Sequence, residues 1–336
     1  MIKSLTGRLA MRMVIEQLPL AAPFRIAGYT WESVDVLVIH LEKDGCVGSG
    51  EAAGVYYKGD RPQSMMSQLE VLRAKIEEGI THESIRALLP PCGARNALDC
   101  ALWDLAAKLT GCPAWRTAKL DTPRPLLTTF TCGVDQPKTM AAVARSYEGA
   151  RAIKVKLDGE LVDVERILAV REARPDVWLG VDANQGFSRS SLETLMPILV
   201  ECKVALIEQP FPVGQESLLD GFESPIPIAA DESMQSLADI PGLSGRFDVI
   251  NIKLDKCGGF TEGLEMVHTA RRLGFGVMVG NMLSSSLAMA PAFLLGQLCD
   301  IVDLDGPLFL RSDRKNAIEY VEGLARCPPD LWGYAL

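Results

Sequence analysis

Two lysines separated by one residue, Lys154 and Lys156 in Ile153-Lys154-Val155-Lys156-Leu157, sit inside an apolar run that reads as a strand. Alternate strand side chains share a face, so both ammonium groups point one way and Val155 points the other. Mutual repulsion and partial burial are expected to lower their pKa values and give a neutral base near neutral pH. Three acids follow at the ends of apolar runs, Asp182 in Val-Asp-Ala-Asn, Glu208 in Ile-Glu-Gln-Pro and Asp231 in Ala-Asp-Glu-Ser, and then Lys253 in Ile-Asn-Ile-Lys. Carboxylates converging on one rim repel unless a cation joins them. With no His or Cys in the set, a hard ion is expected, Mg2+ with Mn2+ as a possible substitute. Asp303 and Asp305 share a strand face and want a cation too, either a substrate ammonium or a nearby arginine.

The elements that position these groups follow from their spacing. Thr131, Lys156, Asp182, Glu208, Asp231, Lys253, Asn281 and Asp303 recur about 25 residues apart, one βα unit each, at the ends of eight strand-like runs. This predicts an α/β protein built on a (β/α)8-type, TIM-like barrel over residues 121–309, with those strand ends as the mouth of the active site. Lys156 and Lys253 then lie on the second and sixth strands, diametrically opposite, with the acids on the arc between. Such a pair can remove a proton α to a carboxylate on one face and return one on the other, while the metal and Lys154 stabilise the enediolate. Two-sided transfer inverts a stereocentre. Lys256, beside Gly258-Gly259, competes with Lys253 on residue type, but Lys253 has the strand-end position.

Residues 1–120 follow another grammar: an antiparallel sheet over 11–53, helical periods at 64–78 and 94–110, then Gly111 and Pro113 as a helix stop. Strands followed by helices predict a separate α+β unit. Gly48, Gly50 and Gly54 almost imitate a dinucleotide loop, but no βαβ unit surrounds them. The last segment, 310–336, is expected to hold no strand and to pack back on the N-terminal unit.

The 336 residues are 48% hydrophobic, enough for a large core, and the net charge of -9 offers no basic field for nucleic acid. Residues 1–14 scatter Lys3, Arg8 and Arg12 among apolar residues without a signal-length run, and no stretch suggests a membrane span. Nine cysteines, an odd number with no CxxC pair, are expected to be reduced in a cytoplasmic protein. His40, His82 and His268 are too dispersed for a histidine-based site.

Taken together, Lys154-Val155-Lys156, Asp182, Glu208, Asp231 and Lys253 followed by Gly258-Gly259 resemble the muconate-lactonizing subgroup of the enolase superfamily. Asp303-Leu304-Asp305, Asn251-Ile252-Lys253-Leu254 and the helix from Ala94 to Asp99 look like its dipeptide epimerases, whose best-known members act on L-Ala-D/L-Glu from cell-wall (murein) peptide. The resemblance implies a modified (β/α)7β barrel under an N-terminal capping domain, in a homo-oligomer. Lys156 and Lys253 would be the acid/base pair, and Asp182, Glu208 and Asp231 would hold Mg2+. Asp303 and Asp305 would bind the dipeptide ammonium, with Thr131, Lys154 and Asn281 lining the site, and loops near 26–31 and 51–57 would close over the substrate. Members acting on Ala-Glu carry an arginine in the first of these loops; here it reads Ile26-Ala27-Gly28-Tyr29-Thr30-Trp31, and its aromatics favour an apolar second residue. Rival readings are N-acylamino acid racemisation, o-succinylbenzoate synthesis or muconate cycloisomerisation on the same scaffold, or a peptide-binding barrel without catalysis.

Overall fold

The middle strand of the amino-terminal sheet is apolar on both faces, and each face meets its own core. In the computed structural model, which describes residues 7–334, β1 (Ala10–Ile26), β2 (Tyr29–Lys43) and β3 (Cys46–Ala52) form an antiparallel sheet in that order. Residues 1–6 and 335–336 of the expected terminal segments lie outside the described residues. Leu37, Ile39 and Leu41 of β2 pack with Leu69 and Ile76 of α1 (Pro62–Glu78), Ile85 of α2 (His82–Leu88) and Leu98 and Leu102 of α3 (Gly93–Thr110). Val36 and Val38, on the other face, join the core that runs into the barrel. The glycines of β3 mark where it crosses α3: a Cβ at Gly48 would lie 2.3 Å from the Leu105 nitrogen, and one at Gly50 2.1 Å from the Ala97 carbonyl oxygen. The glycine pattern is therefore helix-on-sheet packing.

After a short α4 (Ala114–Thr117), the chain makes β4 (Leu126–Leu127) and enters the barrel. Eight parallel strands follow in ring order: β5 (Phe130–Cys132), β6 (Ala152–Lys156), β7 (Trp178–Asp182), β8 (Val204–Glu208), β9 (Ile228–Ala230), β10 (Val249–Ile252), β11 (Gly276–Val279) and β12 (Ile301–Val302). The Thr129 N–H donates to the Val302 carbonyl at 3.0 Å and brings the ends of the ring together. Helices α5 (Pro137–Ser146), α6 (Asp163–Ala173), α7 (Arg189–Glu201), α8 (Leu254–Cys257), α9 (Phe260–Arg272) and α10 (Ser286–Gly296) fill the crossovers. Those leading into β9 and β10 hold only the 3-10 turns Glu216–Leu219 and Ile240–Leu243, and after β12 comes another 3-10 turn, Gly306–Phe309. This is the (β/α)7β form of the barrel, with two crossovers shortened relative to strict alternation.

The period-2 alternation sets the barrel interior. Its closed end is a small apolar cluster of Trp178, Leu206, Ala229, Val249, Met278 and Ile301. Two residues further along four of those strands, the same face carries Glu208, Asp231, Asn251 and Asp303. An apolar floor thus lies beneath a charged layer.

Two expectations are corrected here. The run 126–132 is not one barrel strand: β4 turns away to pair with β14 (Leu324–Arg326), which itself pairs with β13 (Glu319–Val321). The tail therefore does contain strands, each only three residues long, too short to show alternation. The tail also reaches the N-terminal unit, where the Trp332 indole donates to the Cys100 carbonyl at 3.0 Å and Arg314 pairs with Glu16 at 2.6 Å. Among the described residues, no helix is long and apolar enough to cross a membrane.

The two units are locked by buried polar groups. Arg95 of α3 donates to the carbonyls of Cys257, Gly258 and Leu89 and pairs with Glu262 at 2.8 Å. Gly258 and Gly259 have φ of 81° and 120°, and Cβ atoms there would fall 2.1 Å from Arg95 and 2.5 Å from Asp99. The double glycine is thus where a cap helix seats on the barrel. Asp255 reaches the other way and accepts the Gly54 N–H at 2.8 Å, fixing the turn after β3.

Two measurements follow from this interlock. Arg95→Met leaves the buried Glu262 with Arg86, at 3.4 Å, as its remaining cation and removes the donors to three backbone carbonyls, and should lower the unfolding free energy by up to about 3–5 kcal/mol in denaturant titration. Burial pushes the Asp255 carboxyl up to about 7. The folded state then keeps a proton that the unfolded state has lost, so this group's contribution falls as pH rises from about 4 to 7, by a few kcal/mol at most. Asp255→Asn removes the titration, so its melting temperature relative to wild type should climb across that interval; a pH-independent difference would contradict the assignment.

Candidate active site

The strand ends deliver their side chains into one buried cluster. Lys154 and Lys156, two apart on β6, both point inward, as the alternation requires. Lys156 donates to Asp182 Oδ2 at 2.6 Å and to Asn184 Oδ1 at 3.0 Å. Lys154 binds Asp303 and lies 3.6 Å from Asp182 Oδ2 and 3.5 Å from Glu208 Oε2. Across the ring, Lys253 donates to Asp231 Oδ2 at 2.6 Å. β6 and β10 are four strands apart in the ring of eight.

Lys256, on α8, is fully buried and donates to Asp231 Oδ1 and to the Asp231 carbonyl, both at 2.6 Å. It braces Asp231 from behind and does not line the cavity, whereas Lys253 does. Asp303 takes Lys154 and the Thr129 hydroxyl, so its cation is a lysine and no arginine. Asp305 accepts the Thr131 N–H at 2.7 Å and faces the cavity, as does Thr131. Asn281 lines the cavity and donates to the Asp303 carbonyl at 2.5 Å. Residues not singled out from sequence complete the layer: Asn251 donates to Glu208 Oε1 at 2.7 Å, and Asn184 donates to Glu232 Oε1 at 3.2 Å. Their signal was adjacency, since Asn184 and Glu232 sit within two residues of the acids already chosen.

Electrostatics correct one expectation. Burial pushes Lys154 down, but Asp303, Glu208 and Asp182 outweigh it and hold the ammonium well above its ordinary value. Burial acts likewise on Lys253 and is outweighed by Asp231, Glu208 and Glu232. The lowering expected for Lys154 from its paired lysine fails because its closest charges are carboxylates. Burial, reinforced by Asp182, raises Glu208 to about 8, and burial with Asp231 raises Glu232 to about 7. Burial and Asp303 raise Asp305 to about 6.

Donor chemistry bears on the metal. Asp182, Glu208 and Asp231 end β7 and β8 and follow β9, and all are buried. Among the described residues no three His, Cys, Asp or Glu side chains already form a ligand cluster, as Asp182 and Asp231 are turned onto lysines. Yet Glu208 Oε2 is buried without a hydrogen-bond partner. Four buried lysines here (154, 156, 253, 256) face six buried acids (182, 208, 231, 232, 303, 305). An all-oxygen set with two more acidic than basic side chains suits a hard divalent cation.

The cavity above is roofed by the N-terminal unit. Phe24, Ile26, Trp31 and Val34 of the β1–β2 hairpin, and Tyr56 and Tyr57 of the 3-10 turn Tyr56–Lys58, line it from above. Arg25 points elsewhere: its side chain is 52% exposed and reaches Asp135 at 3.4 Å.

Comparison with known proteins agrees with this architecture. Residues 138–328 match the enolase C-terminal domain-like model, and residues 9–116 match the mandelate racemase / muconate lactonizing enzyme N-terminal domain. An L-Ala-D/L-Glu epimerase of Escherichia coli K12 is 38% identical over 310 residues, 92% of this chain and 96% of that protein. An N-acetyl-D-glutamate racemase of a Pseudoalteromonas species is 42% identical over 248 residues, 74% of this chain and 78% of the relative. A crystal structure of an Agrobacterium tumefaciens enolase family member with homology to dipeptide epimerases, holding sodium and L-Ala-L-Glu, superposes with a TM-score of 0.94 at 38% identity, covering 97% of this chain and 100% of that one.

Proposed function

We propose, from the premise that this chain belongs to the enolase superfamily by way of its mandelate racemase / muconate lactonizing enzyme domains, that it is a Mg2+-dependent dipeptide epimerase. The observation that carries this reading is the opposition of Lys156 and Lys253 across a cavity whose rim also presents Asp305.

Asp182, Glu208 and Asp231 would hold the ion. When bound, it takes over their negative charge and polarises the substrate carboxylate, so that a proton α to it becomes removable near neutral pH. Asp305 receives the dipeptide ammonium. Asp303 is already neutralised by Lys154, so it supports Asp305 chiefly by fixing Lys154 and the strand end. With the peptide held between β12 and the acid-bearing strands, the α-carbon of its second residue lies between the two lysines. With Asp182 and Asp231 engaged as metal ligands and no longer paired with Lys156 and Lys253, one lysine can be neutral, and it accepts the α-proton as the carboxylate becomes an enediolate. Lys154 stabilises the charge developing on the oxygens. The opposite lysine, protonated, returns a proton to the other face, and the configuration inverts. Lys256 keeps Asp231 in place.

The Pseudoalteromonas relative favours a second reading, racemisation of N-acylamino acids. Such substrates carry no ammonium, so they leave Asp305 without a counter-charge. Peptide turnover, including that of the cell wall, would supply the dipeptides. Nine unpaired cysteines support a reducing, cytoplasmic setting.

The test is hydrogen exchange in heavy water by the Mg2+-loaded enzyme. Dipeptides should take up one deuterium at the second α-carbon, and N-acetylamino acids far less. Lys156→Ala and Lys253→Ala should each lower epimerisation by roughly 10²–10⁴-fold. Each variant should retain exchange, if any, with only one configuration at the second residue. No exchange across a broad dipeptide library, or a fully active Lys156→Ala, would defeat the reading.

A further inference from the structure

Resting on the epimerase reading above, we propose that the preferred dipeptide carries an apolar or aromatic second residue, and that Trp31 and its neighbouring rings select it against glutamate.

The direction of that side chain follows from the chemistry. In the enediolate the α-carbon is planar, and the two lysines occupy its two faces. The three in-plane substituents are the amide nitrogen, the carboxylate carbon and the side chain. The amide leads back to the ammonium at Asp305, and the carboxylate points to the acids of β7, β8 and β9. The side chain is left with the remaining in-plane direction, out of the barrel mouth and into the roof.

That roof is a connected set of rings. Phe24 lies 4.5 Å from Phe309 and 6.3 Å from Trp31, Trp31 lies 5.1 Å from Tyr56, and Tyr56 lies 5.1 Å from Tyr57, all between ring centroids. Ile26 and Val34 fill the rest. Rings that already brace one another present a formed apolar surface, which loses little freedom on binding. The Tyr57 hydroxyl is engaged by the Gln235 amide at 2.9 Å, which pins the turn.

A glutamate side chain would find no counter-charge there. The basic residues lining the cavity are Lys154, Lys156 and Lys253, each already bound to a carboxylate. Arg25, the guanidinium closest in sequence to the roof residues, faces Asp135 outside. Glu232 also lines the cavity and presents a buried acceptor oxygen without a partner, so it offers a substrate carboxylate no donor. A desolvated, unpaired carboxylate is strongly disfavoured, whereas an apolar side chain gains from burial against the rings.

The experiment is a competition among L-Ala-L-Phe, L-Ala-L-Leu, L-Ala-L-Lys and L-Ala-L-Glu with the Mg2+-loaded enzyme, read as kcat/KM for α-deuterium incorporation. The apolar dipeptides should exceed L-Ala-L-Glu by at least about tenfold, within the range hydrophobic pockets achieve. Trp31→Arg should shift the Glu-to-Phe ratio toward glutamate by a similar factor. A preference for L-Ala-L-Glu or L-Ala-L-Lys in the unaltered enzyme would overturn the inference and leave the epimerase reading standing. Absence of exchange with all four would sink the reading on which it rests.

Discussion

Everything at the mouth of this barrel depends on how buried carboxylates are neutralised. Six acids and four lysines share a space from which water is largely excluded, and each lysine is in contact with at least one acid. A lone ion in such surroundings would be strongly unfavourable, so each lysine keeps its charge because a carboxylate from another strand is held beside it. Strand register is what holds it there: Lys156 is directly opposite Asp182, and Asp182 opposite Glu208, in the parallel ladders. A register slip of one residue would turn these side chains into the apolar layer outside the barrel. The charge layer and the sheet topology thus constrain each other. Glu208, Glu232 and Asp305, which lack the close lysine contacts of the other three acids, are the ones driven toward the protonated form, so the imbalance is shared between the metal-side arc and the end of β12.

The second constraint is the seating of the N-terminal unit. Its sheet has two apolar faces, and only one is covered by its own helices. The other is buried against the barrel and tail, so the roof rings are supported from a core that both units share. Polar locks then fix the orientation. Arg95 and Asp99 meet the double glycine after β10, Glu51 binds Ser285 and Arg314, and Asp255 takes the backbone of the turn bearing Tyr56 and Tyr57. Lys253, Asp255, Lys256 and Gly258 are close neighbours in sequence. One short stretch therefore serves the cavity, the roof turn and the interface at once.

Much of this was legible in the chain. Lys154 and Lys156 share a face because a strand repeats every two residues, and polar residues at recurring strand ends converge because parallel strands end on one rim. The opposition of Lys156 and Lys253 needed only counting. What was not legible lacks a periodic signal: the helix-free crossovers into β9 and β10, the three-residue strands of the tail, and the departure of β4 from the barrel run. Residue type makes Lys256 a rival base, but its role depends on the direction of a four-residue helix, which no pattern encodes. The upward shift of Lys154 is hidden from the sequence for a related reason. Sequence places the second lysine nearby, but only the folded barrel brings Asp303 across from the last strand.

The site divides into a rigid floor and a roof of loops, and the two carry different information. Floor side chains project from strands whose ladders leave them little freedom, which suits proton transfer, where small displacements are costly. Roof side chains project from a hairpin turn and a 3-10 turn, where sequence can vary without disturbing the ring. Charge distribution follows the same division: the floor concentrates every ionised group of the cavity, and the hairpin contributes only apolar and aromatic ones. A carboxylate on the substrate is welcome at the floor, where cationic groups are gathered, and unwelcome at the roof, where none is. On the proposed reading, reaction type is written in the strand ends and side-chain selection in the hairpin.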